Sequence, residues 1–405
     1  MKQNKLFLVG VHKTHTAKAI ERAKMMGFQI VVGDKKESLE KHKGLVKDAH
    51  RLVYVDYNNF EDLLSTTLRL VESELINTIF SFNEYALYNV ARVQENIGIS
   101  GNSSESINIC DDKYKTKKTL SESGLHINNF AICDSEFSVE NFIKEYGLPV
   151  VLKPTKQKAS IGVIEIKSES QIKQAFKECK ELCNPNDKIL VEEYIKGREV
   201  SIEAIVYKGT VYVWGITEKL IYSNTFVESG HITPYKHGDL DSGFFNNITE
   251  KIVNSIGVKM GPLHIEGFIH DNNFIVGEVH TRYGGDNISL ITECSIRSDM
   301  HSPIFAEIGD INYRIKINSP DSFYGVNYIH AKPGIIESVR GHEDLNELKN
   351  LIEYKLTCDV GDKVNPLRNS YDRLGWFLVR ANSRNEILET METIQKQVKI
   401  KTAKN

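Results

Sequence analysis

Short apolar runs alternate with amphipathic stretches from the start of the chain. "KLFLVG" is an unbroken apolar run of strand length. "TAKAIERAKMMG" places Ala19, Ala23 and Met26 at helical spacing and stops at Gly27, and "FQIVVGD" is a second apolar run. A strand, a loop, a helix and a strand in that order predict a parallel α/β unit, and similar units continue to about "IGISGNSSE". The first loop, "GVHKTHT", lacks the GxGxxG pattern that lets backbone approach a pyrophosphate, so no dinucleotide site is expected there.

The pattern then changes. "DDKYKTKKTLSESGLHIN" predicts a helix ending at Gly124, "LPVVLKP" a strand and "TKQKASIGV" a polar loop. In "SESQIKQAFKECKEL", Ser168 and Gln171 form a capping box, and Ile172, Phe176 and Cys179 make one apolar stripe. "KILVEEYI" predicts a strand, "GREVSIEAIVYKGTVYVWGITEKL" a hairpin, residues 241–257 a helix, and "PLHIEGFIHDNNFIVGEVHTR" another hairpin. After about residue 311 come short strands ("PGIIESVRG", "GWFLVRANS") and a final helix, "NEILETMETIQKQV". No repeat or low-complexity tract interrupts this order. The fold class is α/β, with α+β character in the later domains.

Composition narrows the field. A chain of 405 residues divides into more than one domain, and 40% hydrophobic with 26% charged residues is ordinary for a soluble protein. A formal net charge of -3 points to neither nucleic acid nor an anionic membrane as partner. The local cluster Lys113, Lys115, Lys117 and Lys118 reads as a solvated face. Six cysteines with no CxxC pair suggest a reducing compartment, and no apolar run has the length of a signal segment or a bilayer span, so the cytoplasm is the expected location.

The second hairpin carries the candidate chemistry. Centring its turn, "HDNN", on Asn272 sets Glu266 opposite Glu278 and His264 opposite His280, all on one face. Opposed Cβ atoms lie roughly 4.5–5.5 Å apart, where like charges repel, so a cation is expected between the glutamates. Oxygen ligands without cysteine suit Mg²⁺, with Mn²⁺ as the alternative. Arg282, two residues beyond His280, cannot ligate a metal but can hold a phosphate or carboxylate in its fork. His280 is either a ligand or a satisfied neighbour. The competing reading is a half-exposed hairpin with a polar outer face; the opposed pair, the arginine and Gly284-Gly285 together weigh against it.

Six stretches in order resemble the ATP-grasp enzymes, and more narrowly the carboxylate–amine ligase branch that includes the L-amino acid ligases. They are "DDKYKTKKTLSESGL", "GLPVVLKPTKQKASIGV", "LVEEYIKGREVSIEAIV", "FVESGHITP", "LHIEGFI…VGEVHTRYGGDNIS" and "SYDRLGWFLVRANSRNEILETM", the last similar to biotin carboxylase-like members. The resemblance implies a Rossmann-like domain over residues 1–111 and a lid subdomain with the phosphate loop over 112–197. A central antiparallel-sheet domain with the metal and substrate sites follows over 198–310, and a C-terminal α/β extension over 311–405. It implies ATP and Mg²⁺ as cofactors, a small acid and an amine as substrates, no nucleic acid or membrane partner, and a homodimer.

The roles it implies are specific. Lys113 and Lys153 would reach the α/β-phosphates, and loop 156–162 would close over the triphosphate with Ser160 and Gly162 as donors. The run Glu192, Glu193, Tyr194 and Ile195 would read adenine, and Glu199 would accept from the ribose hydroxyls. Glu266 and Glu278 would hold the metal. Arg282 would neutralise an acylphosphate, and Gly285 would let backbone approach the substrate. Glu228 would pair with a substrate ammonium and His231 would take a proton from the attacking amine. Two departures stand out: many relatives have asparagine at the position of His280, and a Gly/Ser-rich loop where this chain has "KQKAS". The implied reaction activates a carboxylate, of an amino acid or small acid, as an acylphosphate and joins it to the amine of an amino acid, releasing ADP and phosphate. A carboxyphosphate-forming enzyme and a non-catalytic ATP-binding module are the alternatives.

Overall fold

The structure is a computed structural model that describes residues 3–403 apart from positions 237 and 239. The N-terminal strands form a parallel sheet in the order Arg51–Tyr54, Gln29–Asp34, Lys5–Val9, Thr78–Phe80. Leu6 and Leu8 enter one apolar cluster, and Phe7 and Val9 another on the opposite face. Helices cover both faces, which is why "KLFLVG" is apolar throughout rather than alternating. The chain leaves Lys5–Val9 to one side and returns to it on the other through Thr78–Phe80, so a topological switch lies between those two strands.

A four-stranded antiparallel sheet follows, ordered Phe130–Cys133, Ile189–Glu193, Val150–Pro154, Ile164–Ile166. Helices Glu136–Tyr146 and Ile172–Glu181 pack on it. The Ser168/Gln171 capping box is present and closes a 3₁₀ turn, Glu169–Gln171, that opens the second helix, and Ile172, Phe176 and Cys179 are buried as their spacing predicts.

The largest element is an eight-stranded antiparallel sheet. Its order is Asn273–His280, Gly261–His270, Arg198–Tyr207, Thr210–Ile221, Glu228–Thr233, Phe323–Ile329, Gly375–Ala381, Leu351–Leu356. It therefore runs from the carboxylate hairpin straight into the C-terminal segment. Helix Ser242–Ile256 covers it. Asp241 caps that helix by accepting from the Phe244 N–H at 2.9 Å, and left-handed Gly257 ends it. Helix Arg384–Gln397 packs near the other end, and a small sheet of Lys363–Val364, Gly334–Arg340 and Lys399–Ala403 completes the C-terminal part. All six cysteines are free thiols. Among the described residues no helix is long and apolar enough to cross a membrane.

The N-terminal part is keyed to the central sheet by aromatic and imidazole rings. His15 Nδ1 lies 3.3 Å from His301 Nε2, and the His15 ring packs against His12 and Tyr283. Burial drives both rings down, His15 to about 2 and His301 to about 3. Their folded pKa values lie below the unfolded value, so the unfolded chain binds the protons first. Stability is then present above about pH 6.5 and lost as pH falls toward 3, at about 1.4 kcal/mol per pH unit for each histidine. Thermal midpoints measured from pH 7 to pH 5 should fall, and the fall should be shallower in a His15→Gln/His301→Gln variant. Equal slopes would show that the pair does not carry the acid sensitivity.

Candidate active site

A cavity of about 760 Å³ lies between the four-stranded sheet and the eight-stranded sheet. Lys113, Lys153, Ser160, Glu192, Glu193, Tyr194, Ile195, Glu199, Glu228, Glu266, Glu278, His280 and Arg282 all line it, so one fold element after another delivers the residues singled out in the sequence to one place.

The hairpin register is as expected at the site but not at the turn. His270 pairs with Asn273, so the turn is the two-residue Asp271-Asn272, both left-handed (φ 47° and 58°), the conformation a tight hairpin requires. That register alone would set Glu266 against Gly277. A bulge at Gly277 adds one residue and restores the pairs Glu266 with Glu278 and His264 with His280.

Glu266, Glu278 and His280 each present one ligand atom within 4.8 Å of the others. Two carboxylates and one imidazole fit a hard divalent cation such as Mg²⁺ or Mn²⁺. Burial, then Arg282, lowers the His280 pKa, which leaves a neutral ring able to ligate. Burial opposes ionisation of Glu266, but Lys219 and His264 overcome it and hold the carboxyl well below the usual range. His264 sits between Glu203 and Glu266 at 2.7 Å from each, and these carboxylates raise it to about 9 against the effect of burial. Its ring stacks on His280, so Glu203 and His264 orient the ligand carboxylate from behind.

The lysines correct the first impression of a solvated basic face. Lys113 and Lys117 lie one turn apart on helix Lys113–Glu122, and Lys117 is only 1% exposed. Lys117 Nζ donates to Asn128 at 2.7 Å and pairs with Glu192 at 2.9 Å, while Lys153 pairs with the other Glu192 oxygen at 2.6 Å. Burial works to raise Glu192, but these two lysines hold it at about 2. Glu192 thus joins Lys117 and Lys153 on the cavity wall, beside Glu193, Tyr194 and Ile195. Lys113 donates to the Gln157 carbonyl at 2.6 Å and lies 3.4 Å from Glu278. The two loop residues expected as donors have close protein neighbours. The Ser160 hydroxyl donates to the Phe226 carbonyl at 2.8 Å, and Gly162 faces Pro154, whose ring a Cβ would meet at 2.9 Å.

A buried lysine unnoticed in the sequence organises the floor. Lys219 Nζ lies 3.0 Å from Glu266, 3.3 Å from Glu199 and 3.5 Å from Glu228. Glu199 is raised to about 6, chiefly by burial, with Lys219 opposing and Glu228 and Glu266 adding to the rise.

A second cavity of about 380 Å³ adjoins the first. Its wall includes His12, Thr14 and His15 from the loop after Lys5–Val9, and Phe82 to Tyr85 from the loop after Thr78–Phe80. The loop without a dinucleotide fingerprint thus still lines a ligand-sized space, at the switch point of its sheet. His231 lies in this cavity, 1% exposed, with Nε2 4.0 Å from Asp286 Oδ2. Arg373 pairs with Asp286 at 2.7 Å and stacks on Tyr328. Glu228 accepts from the Ser370 hydroxyl at 3.2 Å. The two glycines divide: a Cβ on Gly284 would sit 2.9 Å from Glu203 and His264, whereas Gly285 has open space and borders the cavity. Arg282 borders both cavities, its Nε 2.9 Å from Glu84. Glu84, Asp286, Arg373, Lys219 and Glu203, the partner of His264, were not found from the sequence, and Lys117 left only a local signal, one helical turn from Lys113.

Two stretches of the chain match known families: residues 145–290 match the ATP-grasp domain family, and residues 327–403 match the L-amino acid ligase C-terminal domain 2. A D-alanine–D-alanine ligase of Flavobacterium johnsoniae is 30% identical over 36% of this chain and 46% of that protein. The chain thus spans less than half the length of that relative. An L-arginine-specific L-amino acid ligase of Bacillus subtilis is 18% identical over 85% of both chains. An L-amino acid ligase of Bacillus licheniformis has the same fold, with a TM-score of 0.81 at 20% identity over the whole of both chains.

Proposed function

We propose that this protein is an ATP-dependent carboxylate–amine ligase that joins two small substrates, an amino acid or small acid and an amino acid amine, through an acylphosphate. The observation that carries this reading is the junction itself. The carboxylate–imidazole triad and Arg282 stand where a lysine-lined cavity meets a second cavity of substrate size. ATP occupies the first cavity, its phosphates toward Lys113 and Lys153 and its base toward the run 193–195. Glu266, Glu278 and His280 would hold Mg²⁺, or Mn²⁺ in its place, which would neutralise phosphate charge.

The acid carboxylate, held near Arg282, attacks the γ-phosphorus; the bond to ADP breaks and ADP leaves. Arg282 meets the charge that develops on the transferred group. The amine then attacks the acyl carbon, gives a proton to His231, and the carbon–oxygen bond to phosphate breaks. Asp286 Oδ2 lies 4.0 Å from His231 Nε2, on the side of the imidazole that would carry the proton taken up. The matches to ligase families support the amide-forming outcome.

The test is a phosphate-release screen of amino acids in pairs with Mg-ATP. ADP and phosphate should accumulate in step with an amide, and only with both substrates present. AMP with pyrophosphate, or release that depends on bicarbonate alone, would overturn the reading.

A further inference from the structure

We propose that Lys158 is a latch that links closure of the phosphate loop to the placement of Arg282, with Glu84 as the connecting residue. The proposal rests on the ligase reading and assigns the lysine-rich "KQKAS" departure a task within it. Lys158 borders both cavities, and its charge is met there by protein groups. Its Nζ lies 3.3 Å from Glu84 Oε2, 3.3 Å from Asp111 Oδ1 and 4.7 Å from the centroid of the Tyr85 ring. All three partners lie outside the loop's own sheet. Glu84 and Tyr85 follow strand Thr78–Phe80 of the parallel sheet, and Asp111 ends helix Ser104–Asp111. Two acids and a ring face make a seat for a cation and a poor environment for a lysine meant to bind phosphate.

The carboxylate that receives Lys158 also holds the arginine. Glu84 Oε1 is 2.9 Å from Arg282 Nε and 3.6 Å from His280 Nδ1. Arg282 Nη1 donates to the Tyr283 carbonyl at 2.9 Å. One oxygen of Glu84 therefore faces the loop and the other faces the arginine. When the loop is down, Lys158 fixes the rotation of that carboxylate, and the carboxylate fixes the guanidinium edge.

The rest of the loop is tied in the same position. Ala159 and Ser160 adopt left-handed backbone, φ 55° and 60°, uncommon for residues with a Cβ. The Ser160 hydroxyl reaches Phe226, and the Ser370 N–H donates to the Ala159 carbonyl at 3.4 Å. A loop that must lift to admit ATP releases Lys158 as it lifts. Arg282 is then fully positioned only while the loop covers the triphosphate. Lys158 and Glu84 act through Arg282 and are positioning residues.

Turnover and nucleotide binding, measured separately, test this. Lys158→Ala should lower kcat about 10- to 100-fold, the loss expected from a misplaced catalytic group, while a non-hydrolysable ATP analogue binds within about threefold of wild type. Lys158→Arg should restore most of the turnover. Glu84→Gln should resemble Lys158→Ala, and the double variant should be little worse than either, since both cut one chain of contacts. Weakening of analogue binding by tenfold or more with unchanged kcat would make Lys158 a phosphate ligand and overturn the latch, as would wild-type turnover in Lys158→Ala. A second readout needs no ligase activity. The ATP analogue should protect the loop of the wild-type protein from trypsin at Lys156 and Lys158, and Glu84→Gln should lose that protection. Equal protection in Glu84→Gln would overturn the latch whatever the reaction proves to be. Failure of the wild-type protein to release phosphate with any acid–amine pair would count against the ligase reading alone.

Discussion

The Arg282→Ala protein is expected to bind ATP nearly as wild type does and to turn over about 10²- to 10³-fold more slowly. The reason is where the guanidinium stands. It borders both cavities, two residues along the chain from the triad's His280. Its proposed partner is the group in transfer, which exists only at the reaction's midpoint, so its loss falls on kcat. The substitution should leave the fold intact, because Glu84 keeps Lys158 at 3.3 Å and is not left as an unpaired buried charge. Equilibrium binding of an ATP analogue and single-turnover phosphate release measure the two effects separately. Lost nucleotide affinity with normal turnover would contradict the role.

Lys219→Met is expected to destabilise the protein by about 3 kcal/mol or more and to abolish turnover. The lysine is 1% exposed in its side chain and lies within 3.5 Å of three carboxylates. A methionine fills similar volume but supplies no charge, so Glu199, Glu228 and Glu266 would be left to repel one another in a partly desolvated floor. Glu199, already raised to about 6 in the presence of the lysine, should take up a proton first. Glu266 would keep His264 at 2.7 Å but lose its 3.0 Å pair with Lys219, so one of its two cationic supports would go. Denaturant unfolding gives the stability change. A loss below about 1 kcal/mol would show that the three carboxylates do not share the lysine's charge as the distances suggest.

The residues that could be read from the chain share one property: their partners are local. Glu266, Glu278, His264 and His280 face one another across a two-residue turn, so counting along the strands was enough. Even there the count succeeded through two offsetting details, a turn one half-residue earlier than assumed and a bulge at Gly277 that restored the pairing. The capping box at Ser168 and Gln171 and the stripe of Ile172, Phe176 and Cys179 were legible for the same reason. Lys117 was misplaced because its destination depends on Glu192, 75 residues away in the chain, and on a sheet edge that the lysine run does not reveal.

Sequence by itself determined many of the strands and helices, the α/β start, the carboxylate hairpin and the succession of motifs that resembles the ATP-grasp enzymes. These follow from periodicity, turn chemistry and spacing, which act over a few residues. Only the tertiary structure decided the electrostatics of the site. Lys219 meets three carboxylates from three different strands, Glu192 joins two lysines from a helix and a strand, and Glu84 reaches Arg282 and Lys158 from another sheet altogether. Charge interactions act through space across a few ångströms, and burial sets their strength. Neither distance nor burial is written in the spacing of residues along the chain, so which charges pair, and which one waits for substrate, is decided when the sheets come together.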